Sequence, residues 1–221
     1  MMKIEELGTI DYKTAFDYQS KLFNEKISKK NQDLTCEDHL LICEHPHVYT
    51  IGKSGDTNNL LVNDDFLKTI SATYHQSDRG GDITYHGPGQ IVVYPIIDLD
   101  KHKLSINDYI YKLEYLIIDI LKNFKIEGEI SPGNIGVWLD VGKPGERKIC
   151  SIGVKVSRSI SMHGLAFNID TDLSYFNHIN PCGFIERGVT SLNKELSDDV
   201  DIREVRLKLI DKFIKTFKIR S

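Results

Sequence analysis

The sequence predicts an α+β fold in which helices flank a mixed, largely antiparallel sheet. Three segments, at residues 12–28, 105–124 and 202–217, place apolar side chains three and four positions apart, which is typical of amphipathic helices. Short apolar runs bounded by glycine, proline or asparagine lie between these segments and are typical of strands. Because strands and helices do not alternate one by one, a parallel sheet built from strand–helix–strand units is not favoured.

The predicted strands occur in two groups, one on each side of the second helix. They span residues 39–44, 48–51, 83–85, 91–98, 135–140, 148–157 and 160–169. A Gly-Pro-Gly turn separates the third strand from the fourth, and residues 141–145 predict a turn between the fifth and sixth. Residues 56–66 are rich in asparagine and aspartate and predict a loop. A chain of 221 residues has the size of one large domain, and we expect a single domain over residues 1–221.

The composition argues against several classes of function. The formal net charge is -4, whereas a dedicated nucleic-acid-binding protein usually carries a basic surface. No apolar run reaches the roughly 18 residues of a membrane-spanning helix. The first residues lack the apolar stretch of a secretory signal, which predicts a cytoplasmic location. The cysteines share no Cys-x-x-Cys spacing, so we expect free thiols in a reducing compartment.

The most informative stretch is residues 79–90, which read Arg-Gly-Gly-Asp-Ile-Thr-Tyr-His-Gly-Pro-Gly-Gln. Its glycines and proline specify a backbone path that leads directly into the apolar run 91–97. A glycine-rich backbone next to a core strand is how proteins let a ligand approach the main chain. A tight hairpin whose polar residues have no special role is the alternative interpretation.

A second candidate is Cys182, which stands in the sequence Asn-Pro-Cys-Gly at residues 180–183. The proline restricts the backbone and the glycine permits a sharp turn, so this thiol would be held at a defined point. Because a free thiol has a pKa of about 8.5, a nucleophilic cysteine needs a base or a cation beside it. An inert buried cysteine is the alternative.

Lys148 is the candidate for that partner. Unless a bulge intervenes, the alternation of a strand puts it on one face with Cys150, Ile152, Val154 and Val156. A lysine on such a face lies either at a fraying strand end or in a partly desolvated site, where a lowered pKa would make it a base. Cys150 is a rival nucleophile, but the Pro-Cys-Gly sequence favours Cys182.

The histidines are less decisive. His86 lies in the glycine-rich stretch and His163 lies in a predicted strand, and both could line one pocket. His45 and His47 flank a proline, but no cysteine or carboxylate stands at a standard zinc-ligand spacing from them. We therefore expect no metal site.

Taken in order, these segments resemble the lipoyl(octanoyl) transferases, the octanoyl-[acyl-carrier-protein]:protein N-octanoyltransferases of lipoate biosynthesis. The resemblance extends over residues 35–195. It is carried by the run at 79–90, Lys148 ahead of Ser-Ile-Gly at 151–153, His-Gly-Leu at 163–165 and Asn-Pro-Cys-Gly at 180–183. It implies the biotin/lipoate protein ligase-like fold and an acyltransferase that needs no ATP, metal or other cofactor.

The resemblance also implies roles for particular residues. Cys182 would carry the octanoyl group as a thioester, and Lys148 would be its dyad partner. The acyl pocket would be lined by Arg79, Gly80, Gly81, Asp82, Ile83, Thr84, Tyr85, His86, Ser151, Ile152, Gly153, Gly164, Leu165 and Ala166.

The partners that the resemblance implies are proteins. The donor would be octanoyl-acyl-carrier protein, and the acceptors would be lipoyl domains of 2-oxoacid dehydrogenase complexes and the glycine cleavage H protein. We expect a monomer without nucleic-acid or membrane partners. The alternatives are an ATP-dependent lipoate–protein or biotin–protein ligase, a non-catalytic carrier-protein binding module, and a cysteine hydrolase.

Overall fold

The computed structural model describes residues 2–180 and 188–217. The strands are β1 (Met2–Thr9), β2 (Asp38–Glu44), β3 (Val48–Ile51), β4 (Thr73–Gln76), β5 (Thr84–His86), β6 (Gln90–Ile96), β7 (Glu129–Ser131), β8 (Asn134–Leu139), β9 (Arg147–Ser157), β10 (Ile160–Asn168) and β11 (Gly188–Val189). The helices are α1 (Tyr12–Lys30), α2 (Asp64–Thr69), α3 (Ile106–Lys122), α4 (Leu192–Leu196) and α5 (Ile202–Thr216). Short 3-10 turns lie at Thr57–Asn59 and Leu173–His178.

The described strands form one large and one small sheet. In the large sheet the order is β1-β2-β6-β10-β9-β8-β7, with β11 paired to β9. All of its pairs are antiparallel except β1 with β2 and β11 with β9. The small sheet has the order β4-β3-β5. The predicted mixed, largely antiparallel sheet with flanking helices is therefore confirmed.

Helices cover both faces of the large sheet. On one face, α3 and α5 bury side chains such as Leu113 and Phe213 against the strands. On the other, α1 buries Ala15 and Phe23. Because the central strand β6 is covered on both sides, all of its residues are buried, which explains the apolar run that follows Gln90. Within the described ranges, no helix is long and apolar enough to cross a membrane.

The three predicted long helices are confirmed to within about two residues at each end, the usual uncertainty of a helix boundary. The predicted loop at 56–66 is partly wrong, because it contains a 3-10 turn and the first turn of α2. Sequence reasoning also missed β1, β4, β7, β11 and α4. These elements are short or, like β1, largely exposed, so their apolar periodicity is weak.

The Gly-Pro-Gly turn passes from the small sheet to the large one, since β5 and β6 belong to different sheets. Gly89 adopts a φ of +77°, and an added Cβ would lie 2.3 Å from the carbonyl oxygen of Asp170. Its N–H donates to the Glu44 carboxylate over 2.9 Å. The turn is therefore held between two neighbouring segments, and it brings His86 and Gln90 into contact across it.

Candidate active site

A cavity of about 480 Å³ lies on the α1 side of the large sheet, next to the glycine-rich loop. Its floor consists of side chains and glycines from the three central strands β6, β9 and β10. These floor residues are Val92, Tyr94, Ser151, Gly153, Gly164 and Ala166. Most of the lining is apolar, as in pockets that bury an organic ligand.

The glycine-rich loop lies directly against the backbone of β9 and of the residues that follow β3. The N–H of Gly80 donates to the Val154 carbonyl over 2.9 Å, and the N–H of Lys53 donates to the Arg79 carbonyl over 2.9 Å. An added Cβ on Gly153 would lie 2.9 Å from the Gly80 carbonyl oxygen, and one on Gly52 would lie 2.2 Å from that of Gly81. Glycine is therefore required at positions 52 and 153, because the backbone at each of them approaches the glycine-rich loop so closely.

The buried side chain of Arg79 anchors the glycine-rich loop by hydrogen bonds. Its guanidinium donates to the Thr50 carbonyl over 2.6 Å and to the Thr50 hydroxyl over 3.1 Å, and it donates to the Gly80 carbonyl over 3.0 Å. Only 8% of the residue is exposed. Arg79 thus fixes the loop to β3 and also lines the cavity.

The ring of His86 is neutral and has a defined tautomer. Burial lowers the pKa of His86 to about 3. The Gln90 amide nitrogen donates to the Tyr85 carbonyl and the Asn168 side chain, so its oxygen faces Nδ1 of His86 at 2.8 Å. Nδ1 therefore carries the proton. Nε2 is left as an acceptor, 3.3 Å from the Thr50 hydroxyl.

The same network continues to the strand that carries Lys148. Asn168 accepts from the Gln90 amide over 2.9 Å and donates to the Thr190 carbonyl over 3.0 Å. The N–H of Thr190 donates to the Lys148 carbonyl over 2.9 Å. One chain of hydrogen bonds thus links the glycine-rich loop to the start of β9.

Lys148 lines the cavity because the pairing of β8 with β9 is irregular. Val137 pairs with Cys150 but Trp138 pairs with Lys148, so Ile149 is an extra residue on β9. Regular alternation would have put Lys148 with Val154, which packs in the core under α3. The sequence alone could not exclude a bulge in this strand, and the structure contains one. Lys148 consequently lines the cavity together with the floor residues of β9.

The amino group of Lys148 lies among uncharged groups of β8. Its Nζ donates to the Ile135 carbonyl over 3.3 Å. The centre of the Trp138 ring is 4.4 Å away, a cation–π distance. An added Cβ on Gly136 would lie 3.4 Å from Cε of Lys148, so the lysine stem runs across this glycine.

The rival nucleophile Cys150 is fully buried in the core under α3. Burial raises the pKa of its thiol well above the ordinary value. It does not line the cavity, so a substrate in the cavity has no access to it in this structure. The fully buried environment is the ordinary one for an inert cysteine.

Cys182, with Pro181 and Gly183, lies outside the described residues. The described residues on each side of this segment are next to the site. Asn180 donates its N–H to the Asn59 carbonyl over 2.8 Å, and Asn59 donates to the carboxylate of the cavity residue Asp82 over 2.7 Å. Gly188, just after the segment, lines the cavity and begins β11.

Comparison with known proteins decides the family. The lipoyl protein ligase A/B catalytic domain matches residues 11–214. The chain belongs to this family. Among curated relatives, the octanoyltransferase of Christiangramia forsetii is 46% identical over 98% of this chain and 96% of its own length. The octanoyltransferase of Bacteroides thetaiotaomicron is 48% identical over 90% of this chain and 88% of its own length.

Solved structures of lipoyl and biotin protein ligases have the same fold. The bi-partite lipoate protein ligase of Thermoplasma acidophilum has a TM-score of 0.72 at 20% identity, covering 99% of this chain and 84% of that one. Lipoate-protein ligase A bound with ATP has a TM-score of 0.70 at 17% identity, covering 98% and 85%. The predicted biotin/lipoate protein ligase-like fold is confirmed. This member of the family is an acyltransferase, and its reaction is octanoyl transfer in protein lipoylation.

Most of the predicted pocket residues meet at one cavity. Those that line it are Arg79, Gly81, Asp82, Ile83, Thr84, His86, Ser151, Ile152, Gly153, Gly164, Leu165 and Ala166, together with Lys148. Gly80 and Tyr85 do not line it. The N–H of Gly80 donates to the Val154 carbonyl. The Tyr85 hydroxyl contacts Nδ1 of His47 at 2.6 Å, and Tyr85 belongs to the core of the small sheet.

Sequence reasoning missed several residues of the site. Tyr12, Tyr94 and Trp138 line the cavity, and Thr50 and Asn168 connect its walls by hydrogen bonds. Each sits within an ordinary helix or strand pattern, so no local signal marks it. His163 does line the cavity, as proposed, with its Nε2 2.7 Å from Asp78. His45 and His47 contact different tyrosines, Tyr94 and Tyr85.

Proposed function

We propose that this protein transfers the octanoyl group from octanoyl-acyl-carrier protein to a lysine of lipoyl domains through a thioester on Cys182, with Lys148 as the proton-transfer partner. The observation that carries this proposal is the position of Lys148 on the same mostly apolar cavity as the glycine-rich loop. The curated relatives are named octanoyltransferases, and one structural neighbour is a lipoate protein ligase described with its E2 lipoyl domain.

The cavity suits an eight-carbon acyl chain. Burying such a chain gains about 0.8 kcal/mol per methylene, or roughly 5 kcal/mol in all. Three polar side chains at the cavity have partners within the protein. His86 contacts Gln90, Tyr94 contacts His45, and Tyr12 donates to Ser77. At these three side chains a saturated acyl chain meets polar groups that already have hydrogen-bond partners.

In the first step, the Cys182 thiol gives its proton to the Lys148 amine, and the thiolate attacks the carbonyl carbon of the donor thioester. The bond from that carbon to the donor sulfur breaks. The Lys148 ammonium then protonates the departing thiolate, so one thioester replaces another and no ATP is needed. A nucleophile and a base in hydrogen-bond reach of each other are what this chemistry requires.

In the second step, the acceptor lysine attacks the Cys182 thioester as a free amine. Lys148 accepts the proton that this amine loses, and it returns a proton to the Cys182 thiolate when the carbon–sulfur bond breaks. The product is an amide, which is more stable than the thioester, so the step runs downhill. Main-chain N–H groups around Gly183 or at residues 151–153 are the proposed donors to the tetrahedral oxyanion.

The decisive experiment is intact-mass spectrometry after incubation with octanoyl-acyl-carrier protein in the absence of ATP. We expect one added octanoyl group that hydroxylamine removes. Cys182→Ser and Lys148→Ala should both lack it, because one removes the nucleophile and the other its proton acceptor. Cys150→Ser is the matched control and should label as fully as the parent protein.

Three results would contradict the proposal. A label that maps to Cys150 would reassign the nucleophile. Lipoylation that requires ATP and survives Cys182→Ala would favour the ligase chemistry of the structural neighbours. Release of free octanoate at the same rate with and without an acceptor lipoyl domain would identify a hydrolase.

A further inference from the structure

Glu114 is a buried carboxylate that the proposed reaction does not use. It lies on the sheet-facing side of α3, among apolar residues such as Leu113 and Ile117, and only 2% of it is exposed. Its Oε1 accepts the N–H of Gly136 over 3.0 Å. An ionised carboxylate is rarely buried without a cation, because burial removes the water that stabilises its charge.

The cation that faces Glu114 is Lys148. Gly136 lies between the two side chains. Its N–H donates to the carboxylate, while an added Cβ would lie 3.4 Å from Cε and 3.6 Å from Cδ of the lysine. Burial raises the pKa of Glu114, and the Gly136 N–H and the positive charge of Lys148 act against that rise.

Among the described groups near Lys148, Glu114 is a carboxylate whose charge interacts with it. Cys150 is a buried thiol that stays protonated, since burial raises its pKa. The groups that Lys148 contacts on β8, the Ile135 carbonyl and the Trp138 ring, are uncharged. Arg147 is held by Glu195, with Nη2 at 2.6 Å from the carboxylate, and by Asp140.

We propose that Glu114 is a positioning residue, whose carboxylate beneath Gly136 stabilises Lys148 as an ammonium ion and holds its amino group over the Ile135 carbonyl. The inference rests on the proposed function, in which Lys148 exchanges a proton with Cys182. When the thiol proton moves to the amine, a negative charge nearby stabilises the ammonium product. Glu114 therefore favours the thiolate–ammonium pair that starts the reaction.

The test is Glu114→Gln, which removes the charge but keeps an oxygen to accept the Gly136 N–H. We expect kcat at pH 7 to fall on the order of tenfold, with KM for the octanoyl carrier unchanged. The alkaline limb of the kcat profile should move to lower pH by roughly one unit, the lower end of the effect of an opposite charge. Asp119→Asn, a partly exposed carboxylate on the same helix, is the control and should leave the profile unchanged.

A second measurement does not depend on the variant's folding. In the parent protein, reductive methylation of Lys148 is followed against pH by peptide mass spectrometry. Because Lys148 in the thiolate–ammonium pair already holds the proton taken from Cys182, we expect its amine to become reactive only in the alkaline range of an ordinary lysine, about pH 10. Reactivity already near pH 7 would overturn the inference.

The results separate this inference from the proposed function. If Lys148→Ala is inactive but Glu114→Gln keeps the parent pH profile, Glu114 has only a structural role and the inference is wrong. If Lys148→Ala transfers octanoyl at the parent rate, the proposed function itself fails.

Discussion

At Gly153 the backbone of β9 passes so close to the glycine-rich loop that a single methyl group has no room. An added Cβ would meet the Gly80 carbonyl oxygen at 2.9 Å and Cδ of Arg79 at 3.2 Å. Backbone cannot move aside as easily as the end of a flexible side chain, so this contact explains the glycine in physical terms.

We therefore predict that Gly153→Ala destabilises the protein by about 1–3 kcal/mol, the usual cost of overpacking a close contact. The free energy of unfolding from urea titration measures this. Gly188→Ala is the control, because among the described residues the nearest atom to its added Cβ is 3.5 Å away, and it should change stability by less than about 0.5 kcal/mol. Equal losses in both variants would show that the contact at Gly153 is not the cause.

At the scale of elements, the start of α3 is set by local chemistry. Ser105 is the N-cap, and its hydroxyl accepts the N–H of Asp108 over 3.1 Å while the Asp108 carboxylate accepts the Ser105 N–H over 3.2 Å. This reciprocal capping box satisfies two N–H groups that otherwise have no partner in the helix. It fixes where α3 begins, and therefore where Glu114 meets β8.

We expect Ser105→Ala to reduce the free energy of unfolding by about 1 kcal/mol, because one N–H at the helix start loses its acceptor. Ser105→Asn keeps a capping oxygen and should remain close to the parent protein. Chemical denaturation followed by far-UV circular dichroism gives both values. A loss in Ser105→Asn as large as that in Ser105→Ala would argue against capping as the reason.

At the scale of the whole molecule, a buried ion pair joins three parts of the chain. Asp38 at the start of β2 is 2% exposed and lies 2.7 Å from Nζ of Lys26 on α1 and 2.9 Å from Nε2 of His102. Burial opposes the ionisation of Asp38, but the hydrogen bonds from His102 and Lys26 outweigh it and hold its pKa below the ordinary value of 3.8. The pair thus connects α1, β2 and the segment after β6.

The lowered pKa of Asp38 in the folded protein makes its contribution to stability depend on pH. Because the pKa of Asp38 is lower in the folded state, its contribution is fully present above the ordinary carboxyl pKa and is lost as the pH falls below it. Asp38→Asn should cost about 3–5 kcal/mol at pH 7, since it leaves the buried Lys26 ammonium without its opposite charge. The difference from the parent protein should begin to shrink as the pH falls below about 4 and should continue to shrink towards pH 2.

Urea titrations at several pH values test this prediction. Asp17→Asn is the control, because Asp17 forms an exposed pair with Lys13 and should contribute less than about 1 kcal/mol at any pH. A loss of stability in Asp38→Asn that stays constant between about pH 7 and 2 would contradict the assignment to the Asp38 carboxylate.

Much of this protein follows from local patterns in the chain. The helices at Tyr12–Lys30, Ile106–Lys122 and Ile202–Thr216 were predictable because one apolar face repeats with the period of a helix. The glycine-rich run pointed to the cavity wall because glycine is needed where two backbones approach closely. Cys182 as the nucleophile rests on the sequence, since it lies outside the described residues.

Only the tertiary structure decided which distant groups act on one another. The extra residue at Ile149 turns Lys148 to the cavity, and such a bulge depends on how β8 pairs with β9, which a one-strand pattern does not contain. The sequence left a hairpin open as the alternative interpretation of the glycine-rich stretch, but β5 and β6 belong to different sheets because their strand partners come from elsewhere in the chain. Packing between elements also places Glu114 and Lys148 on either side of Gly136, which contacts both side chains. Periodicity determines which face of an element is apolar, whereas packing between elements determines what each polar side chain meets.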